Sequence, residues 1–312
     1  MHEAIKQVFS LSKEILESPT NQHVFLDKNG IDRFLNEHMI PNPPTKTQVD
    51  DNEINIGQMQ KAEIVLDELV SDSINYCFWL FNASIRPNGS GSTKMRDILH
   101  YNFDARNALR NEINFKYEIR RFISALHRRR FPMMEKRIKH LTALTRPHIL
   151  RSATSLSAHD SNLNVGSWLV SMIIGNSFEN CFNFLITEID GYGDDPFLKR
   201  ACLFFLQLNR ILGLYEDEVK SFPLPADYQV PKMMRWYGLL RYSDELTSMI
   251  VGGEHLQENG PMEMAIRAAT IEVGRFLCEK TGWSASDVDG WFFTRRHDAE
   301  NFPFHLCQTS NY

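Results

Sequence analysis

Helical spacing of apolar residues is the feature of this sequence that most limits its possible folds. Residues 197–214 are apolar nearly all round, which is typical of a helix in the middle of a domain. Residues 3–17, 59–80 and 262–280 instead carry an apolar face at a period near 3.6 residues. A short extended piece is indicated at 24–26. The sequence therefore predicts an all-α fold.

The 312 residues show no clear break in their apolar segments, which predicts one large helical domain over 1–312. Residues 41–55 are rich in Pro, Asn, Asp and Thr, so we expect a surface connection there. Residues 151–165, rich in Ser, Asn and Asp, indicate an exposed insertion. The segment 291–305 is too apolar for a frayed terminus, and we expect it to dock onto the body.

Composition narrows the function classes. The formal net charge of −5 gives no basic footprint for the whole molecule, so nucleic acid is not the expected partner. The 5 cysteines are widely spread without paired spacing, which indicates neither a disulfide framework nor a zinc site. No apolar run approaches the roughly 20 residues of a membrane helix, and no secretion signal pattern is present. We expect a cytoplasmic protein.

A run of Lys and Arg lies in the helical segment 105–145. Such a run can follow a phosphate backbone. Because the chain total is acidic, we favour the interpretation that the run is a solvated helix face.

A proline-rich stretch at 222–231 places Asp227 and Tyr228 in a short rigid loop between two helical segments. A carboxylate held in this way is available for chemistry. The alternative is that Asp227 caps a helix that begins at Pro231, because Asp is favoured just outside a helix start and Pro in its first turn. Spacing alone favours the cap.

Two polar residues and one indole share a side of the predicted helix 59–80. Asp72, Asn75 and Trp79 stand at i, i+3 and i+7. They could form a wall for a ligand with a polar and an aromatic part. Alternatively, Trp79 packs in the core while Asp72 and Asn75 face solvent or a neighbouring helix end.

Two pairs of charged residues stand in otherwise apolar helices. Lys199 and Arg200 fall in the first turn of their helix, where the helix dipole does not favour a cation, and exposure to solvent is the simplest account. Glu263 and Arg267, at i and i+4, predict a modest ion pair that stabilises their helix.

Several short segments occur in an order that is typical of one known family. They are Val24–Asp27, Asp72–Trp79, Pro132–Arg137, Ser177–Cys181, Lys199–Ala201, Ala226–Pro231, Leu240–Leu246, Glu263 with Arg267, and Pro303–His305 with Tyr312. In these segments the chain resembles the queuosine salvage proteins, N-glycosidases that release queuine from queuosine 5′-monophosphate. The resemblance implies an all-α fold related to the helix-hairpin-helix base glycosylases.

The chain departs from the family pattern in three places. The usual Tyr-Trp segment is missing between Phe81 and Lys116, and residues 147–170 resemble an insertion. Gln308 stands where the family usually carries an Arg, the natural bidentate partner of a phosphate. The substrate implied is therefore queuosine 5′-monophosphate, the nucleoside, or a related 7-deazaguanine nucleotide.

The resemblance also implies roles for residues. Asp227 would stabilise the positive charge that develops on the ribosyl ring when the glycosidic bond breaks, electrostatically or by covalent capture. The substrate-binding residues would be Asp72 and Asn75 at the base edges, Phe78, Trp79 and Tyr228 as stacking faces, Lys199 at the 5′-phosphate, Arg267, and His305 closing the pocket. Water attacks in this chemistry, so neither a metal nor an organic cofactor is implied.

Two rival functions remain open from the sequence. One is a base glycosylase that acts on nucleic acid, which needs a positive surface for the strand. The other is a helical protein that binds 7-deazapurines without turnover.

Overall fold

A computed structural model describes residues 1–38, 57–80, 91–146 and 165–312, with side chains at all of these except 165–168. The predicted surface connection 41–55 and residues 147–164 of the predicted insertion 147–170 lie outside the described residues. Residues 165–170 of that predicted insertion belong to a helix.

Most of the described residues are helical, which confirms the all-α prediction. The helices are α1 (Glu3–Glu17), α2 (Lys28–His38), α3 (Gln58–Ser73), α4 (Gly91–Asn102), α5 (Ala105–Ala108), α6 (Glu112–Arg128), α7 (Met134–Ala143), α8 (Val165–Ile174), α9 (Phe178–Glu188), α10 (Lys199–Leu212), α11 (Glu216–Val219), α12 (Gln229–Trp236), α13 (Asp244–Gly252), α14 (Pro261–Thr281) and α15 (Ala285–Thr294). The strands are β1 (Val24–Leu26), β2 (Leu240–Tyr242), β3 (His255–Leu256) and β4 (Leu306–Cys307).

Contacts between Cα atoms group the chain into two compact units. Of the described residues, the first unit contains 1–38, 213–310 and 312, and the second contains 57–80, 91–146, 165–212 and 311. One domain over the whole chain, and its likeness to helix-hairpin-helix glycosylases, stay predictions.

Helix α3 is the centre of the second unit, where it packs against α8 and α10. Leu66 and Leu69 of α3 and Phe205 and Leu208 of α10 are fully buried. The helix that was predicted to be apolar all round is thus a core helix. Ser177 caps α9 by accepting a hydrogen bond from the backbone N–H of Asn180, as its residue type favours.

Helix α3 ends earlier than the sequence predicts. The predicted helix 59–80 stops at Ser73, the chain then turns through Cys77 with a φ of 50°, and a single 3₁₀ turn follows at Phe78–Leu80. Asp72, Asn75 and Trp79 therefore do not share a helix side. The backbone carbonyls beyond Ser73 bind side chains from other helices, which replaces the helical hydrogen bonds.

The first unit is built around α14, which packs against α1, β1 and α15. The extended piece predicted at 24–26 is β1, and it pairs antiparallel with β2. This pairing brings α2 close to the turn before β2, because a Cβ on Gly30 would stand 1.9 Å from the carbonyl oxygen of Gly238. Ser243 then caps α13 by accepting a hydrogen bond from the backbone N–H of Leu246, as its residue type favours.

The apolar tail docks onto the first unit, as predicted. Trp291 and Phe292 are buried, although Phe293 is 43% exposed. Strand β4 pairs in parallel with β3. The hydroxyl of Thr309 donates to Oε1 of Glu258 over 2.5 Å, which fixes the chain beyond β4.

Candidate functional site

The nine residues singled out from the sequence fall into two groups, one in each unit. The second unit contains Asp72, Asn75, Phe78, Trp79 and Lys199. The first unit contains Asp227, Tyr228, Arg267 and His305.

In the second unit, buried cations bind the carbonyls at the end of α3. Arg200 Nη1 donates to the carbonyl of Ser73 over 2.5 Å, and Lys199 Nζ donates to that of Asn75 over 3.1 Å. Arg137 donates to the carbonyl of Ile74 and, over 2.6 Å, to that of Tyr76. Carbonyls at a helix C-terminus lack helical partners and carry partial negative charge. Three side chains thus neutralise four consecutive carbonyls.

This arrangement corrects three expectations. Lys199 is 4% exposed and Arg200 is fully buried, so the interpretation that they face solvent is wrong. Arg137, a member of the basic run, is also fully buried and does not belong to a solvated helix face. Other members of the run, such as Arg128 and Arg129, are exposed, as the solvated-face interpretation requires. Spacing along one helix cannot reveal partners that come from α3.

Gly191 makes room for the Arg200 guanidinium. A Cβ at this position would stand 2.7 Å from Arg200 Nη1, and the backbone φ of 94° is one that glycine adopts readily. Arg200 Nη1 also lies 3.3 Å from Nδ1 of His140. Burial, followed by the charge of Arg200, lowers the pKa of His140 to about 3, so His140 is neutral near pH 7.

Asp72 is fully buried at the last turn of α3. Its Oδ1 accepts a hydrogen bond from Asn75 Nδ2 over 2.9 Å and a longer contact of 3.5 Å from Arg96 Nη2. Arg96 in turn binds both carboxylate oxygens of Glu68, over 2.6 and 2.8 Å. Burial raises the pKa of Asp72 to about 6, and Arg96 opposes that shift. Asp72 and Asn75 are therefore buried together, so the part of the alternative in which they face solvent is wrong, while Asp72 does face a neighbouring helix through Arg96 of α4.

Aromatic rings follow this carboxylate along the chain. Phe78 is 4% exposed and meets Phe131 edge-on at 6.4 Å between ring centroids. Trp79 is half-buried. The Arg137 guanidinium lies 4.4 Å from the centroid of Tyr76 and 5.1 Å from that of Phe78. One arginine thus binds both the carbonyls and the rings of this segment.

In the first unit, Asp227 is fixed at the start of α12. Its Oδ1 accepts hydrogen bonds from the backbone N–H groups of Gln229, over 2.7 Å, and Val230, over 3.0 Å. The cap that spacing favoured is therefore present, although the helix begins two residues before Pro231. From the described part of the chain, Oδ2 accepts no hydrogen bond. Capping thus occupies one oxygen of the half-buried carboxylate.

Arg267 supports the loop that carries Asp227. Its Nε donates to the carbonyl of Ala226 over 3.0 Å, and its guanidinium lies 4.7 Å from the ring centroid of Tyr312. Nη1 is 3.6 Å from Oε1 of Glu263. The predicted pair of Glu263 and Arg267 is present, but both side chains are fully buried rather than on an outer helix face.

His305 and Tyr228 belong to the same unit. His305 Nε2 lies 3.1 Å from the hydroxyl oxygen of Tyr312, within hydrogen-bond distance. Burial, followed by the charges of Arg267 and Arg235, lowers the pKa of His305 to about 3. Tyr228 is buried and stacks on Phe304 at 5.1 Å between centroids. Both predicted residues thus contact the tail of the chain.

Sequence reasoning gave no role to Glu68, Arg96 or Arg137. Arg137 stood in a segment that carried the family resemblance, which was the one available signal. No sequence signal pointed to Glu68 or Arg96, because the two residues are partners that lie on different helices, α3 and α4.

Over 1–38, 57–80, 91–146 and 165–312, no three His, Cys, Asp or Glu residues cluster closely enough to hold a metal ion. In the same ranges, no helix combines the length and apolarity needed to cross a membrane.

Fold and site together define an all-α protein with a fixed half-buried carboxylate in one unit and a buried carboxylate beside cations in the other. The profile of the family described as "Queuosine salvage protein" matches residues 58–301, most of the chain. The chain belongs to this family, which confirms the resemblance noted in its short segments.

Three relatives are each named queuosine 5′-phosphate N-glycosylase/hydrolase. The chain is 28% identical to the mouse protein over 167 residues, which are 44% of this chain and 49% of the relative. It is 34% identical to the Sphaerobacter thermophilus protein over 110 residues, which are 32% and 33% of the two chains. For the Dictyostelium discoideum protein, the identity is 35% over 82 residues, or 25% of each chain. The matches thus span half or less of these relatives.

Proposed function

We propose that the protein hydrolyses the N-glycosidic bond of queuosine 5′-monophosphate or a related 7-deazaguanine nucleotide or nucleoside. From queuosine 5′-monophosphate the products are free queuine and ribose 5-phosphate, and this release serves queuine salvage for tRNA queuosine modification in the cytoplasm. Membership of the family and the names of the three relatives support this activity. The observation that carries it is the Asp227 carboxylate, which two backbone N–H groups hold by one oxygen.

In the proposed reaction, the bond between C1′ of the ribose and the base nitrogen breaks, and its electron pair leaves with the base. Positive charge then develops on C1′ and the ring oxygen, and Asp227 Oδ2 stabilises it or captures C1′ covalently. Water supplies the hydroxyl group at C1′, in the covalent route by breaking the bond between C1′ and Oδ2 and releasing the carboxylate, and its other proton neutralises the departing base. Because Oδ1 is already fixed, the carboxylate needs no reorganisation as the charge develops.

The proposed substrate contacts in the second unit follow the chemistry of their side chains. Asp72 and Asn75 bind the base edges, while Phe78 and Trp79 offer stacking faces, each worth about 1–3 kcal/mol against a base. Lys199 binds the 5′-phosphate. Its ammonium supplies the positive charge that suits a phosphate, and the carbonyl of Asn75 holds it in place.

In the first unit, Tyr228 is the proposed third stacking face. Arg267 and His305 complete the proposed substrate-binding set. Arg267 acts through the loop, since it holds the carbonyl of Ala226 next to Asp227. His305, neutral near pH 7, contributes a hydrogen bond rather than a positive charge.

Asp227→Asn separates chemistry from capping. The amide keeps an oxygen for the N–H groups of Gln229 and Val230 but removes the negative charge. We expect kcat for release of queuine from queuosine 5′-monophosphate to fall on the order of 10³-fold, with little change in the melting temperature. Free queuine is followed by mass-resolved chromatography, with queuosine as a parallel substrate. Asp244→Asn, an exposed carboxylate of the same unit, is the control and should keep full activity.

Each outcome decides among the functions. Release only from queuosine would mean that the nucleoside is the substrate. Tight binding of queuine without release from either compound would establish the non-catalytic binder instead. Base release from an oligonucleotide would establish the nucleic-acid glycosylase. Full activity in Asp227→Asn would remove Asp227 from the chemistry.

A further inference from the structure

The two carboxylate oxygens of Asp72 have different surroundings. Oδ1 accepts from Asn75 Nδ2 at 2.9 Å and faces Arg96 Nη2 at 3.5 Å. Oδ2 is buried, and no donor from the described part of the chain reaches it. A buried acceptor without a partner destabilises the folded protein, and more so when it is charged. An oxygen kept in this state points to a donor supplied by a ligand.

We propose that Asp72 Oδ2 accepts an N–H from the imino and amino edge of a guanine-type base, and that Arg96, held by Glu68, is the positioning residue that fixes which oxygen faces the base. This inference rests on the proposed function and specifies its substrate class. A base whose edge presents N–H donors satisfies Oδ2. An adenine-type base, which presents a ring nitrogen acceptor at the same edge, meets it with repulsion.

Arg96 is suited to this role because Glu68 holds it in one orientation. The two form a bidentate pair at 2.6 and 2.8 Å, the strongest geometry for an arginine and a carboxylate. The Glu68 side chain is 8% exposed and that of Asp72 is fully buried, while that of Arg96 is 34% exposed, so solvent is kept from the two carboxylates of the arrangement. The remaining contact of Arg96 goes to Oδ1 of Asp72, on the same side as the amide of Asn75.

The charges around Asp72 keep it an acceptor. On α3 itself Glu68 raises the pKa of Asp72, while Arg96 from α4 and Lys199 from α10 lower it. Tyr192 also faces this carboxylate, and the charge of Asp72 contributes to raising the pKa of the Tyr192 hydroxyl. With a pKa of about 6, Asp72 is mostly ionised at pH 7.5 and has no proton to donate.

Asp72→Asn gives a sharp test, because Arg96 and Asn75 both donate to the Oδ1 position. They hold the amide oxygen of the variant there, so its NH₂ replaces Oδ2. We measure calorimetric affinities for two free bases, 7-deazaguanine and 7-deazaadenine, at pH 7.5. The wild-type protein should prefer 7-deazaguanine by on the order of 100-fold or more, and Asp72→Asn should abolish or reverse that preference.

Arg96→Gln tests the positioning role. We expect the preference for 7-deazaguanine to fall about tenfold, because a carboxylate that is not held offers either oxygen, and Arg96→Lys should restore part of it. Arg106→Gln is the matched control. Arg106, in α5, binds Glu63 over 2.6 Å, and Glu63 lies in α3 together with Glu68 and Asp72. This variant should leave the preference unchanged.

The outcomes separate this inference from the proposed function. A wild-type protein that binds neither base, or binds both equally, overturns the inference even if it hydrolyses queuosine 5′-monophosphate. A preference that persists in Asp72→Asn while both affinities weaken overturns it as well, because Asp72 would then be structural. A preference that Asp72→Asn reverses, in a protein without hydrolysis, supports the inference and contradicts the proposed function.

Discussion

His305 is a histidine that remains neutral near pH 7. Its side chain is buried against Tyr312 in the presence of Arg267 and Arg235, and its pKa lies at about 3. Protonating it places a third positive charge beside two arginines. It therefore serves the proposed site as a hydrogen-bonding group and makes the first unit sensitive to acid.

The pKa of His305 in the folded protein lies below the value of about 6.5 in the unfolded chain. Its contribution to stability is therefore present above pH 6.5 and is lost as the pH falls towards 3. At pH 5 the loss is about 2 kcal/mol. We expect His305→Gln to lose less unfolding free energy than the wild type between pH 7.5 and pH 5, measured by urea denaturation. Exposed His297→Gln is the control, and equal losses in all three proteins would refute this account.

At the scale of single residues, the sequence identified Asp227 correctly as a cap and could not show more. Capping is a local relation between a side chain and the next N–H groups, so residue type and spacing predict it. Among the described residues, Oδ1 accepts hydrogen bonds and Oδ2 accepts none, and this difference depends on what surrounds the loop, including Arg267 from α14. The charge environment of Asp72 was hidden for the same reason, since Arg96 approaches it from α4.

At the scale of elements, the end of α3 is decided by α7 and α10. Arg137, Lys199 and Arg200 bind four carbonyls in a row, and the chain leaves the helix where they begin. Apolar periodicity continues to residue 80, so the sequence predicted a longer helix. Periodicity reports which side chains are buried and does not report the hydrogen bonds of the backbone.

Arg137→Met removes the donors to the carbonyls of Ile74 and Tyr76 while keeping an apolar side chain of similar length. Two buried acceptors then lose their partner, and we expect a loss of about 2–4 kcal/mol in unfolding free energy. Hydrogen exchange should also accelerate at the amides of 74–77. Lys139→Met, at an exposed position of the same helix, is the control. If both variants unfold at the same urea concentration, the cations do not stabilise the end of α3.

At the scale of the whole molecule, charge sets the expected partners. The net charge is −5, and of the basic run Arg137 is buried while Arg121 pairs with Glu118 at 3.3 Å. The exposed residues of the basic run include Arg128 and Arg129. Both line a groove together with Lys94 and the exposed Tyr101. An isolated basic groove on an acidic protein gives weak attraction for a strand at physiological salt.

We expect no binding of duplex or single-stranded oligonucleotides at 150 mM salt, a concentration of about physiological ionic strength, measured by fluorescence anisotropy. A salt-dependent affinity that disappears in Arg128→Gln with Arg129→Gln would contradict this and bring the nucleic-acid glycosylase forward. Lys6→Gln with Lys13→Gln removes the same charge from α1 and serves as the control.

The sequence by itself determined the all-α class, the starts of α1, α3, α10 and α14 to within two residues, and the family. These features depend on neighbouring residues and can be recognised without knowledge of the fold. They are apolar periodicity, short motifs, and helix caps such as Ser177, Ser243 and Asp227. The tertiary structure alone decided that Lys199, Arg200, Glu263 and Arg267 are buried. It also decided that α3 ends at Ser73 and that Arg96 faces Asp72. Burial and pairing depend on residues far apart along the chain, which packing brings together and local spacing does not encode.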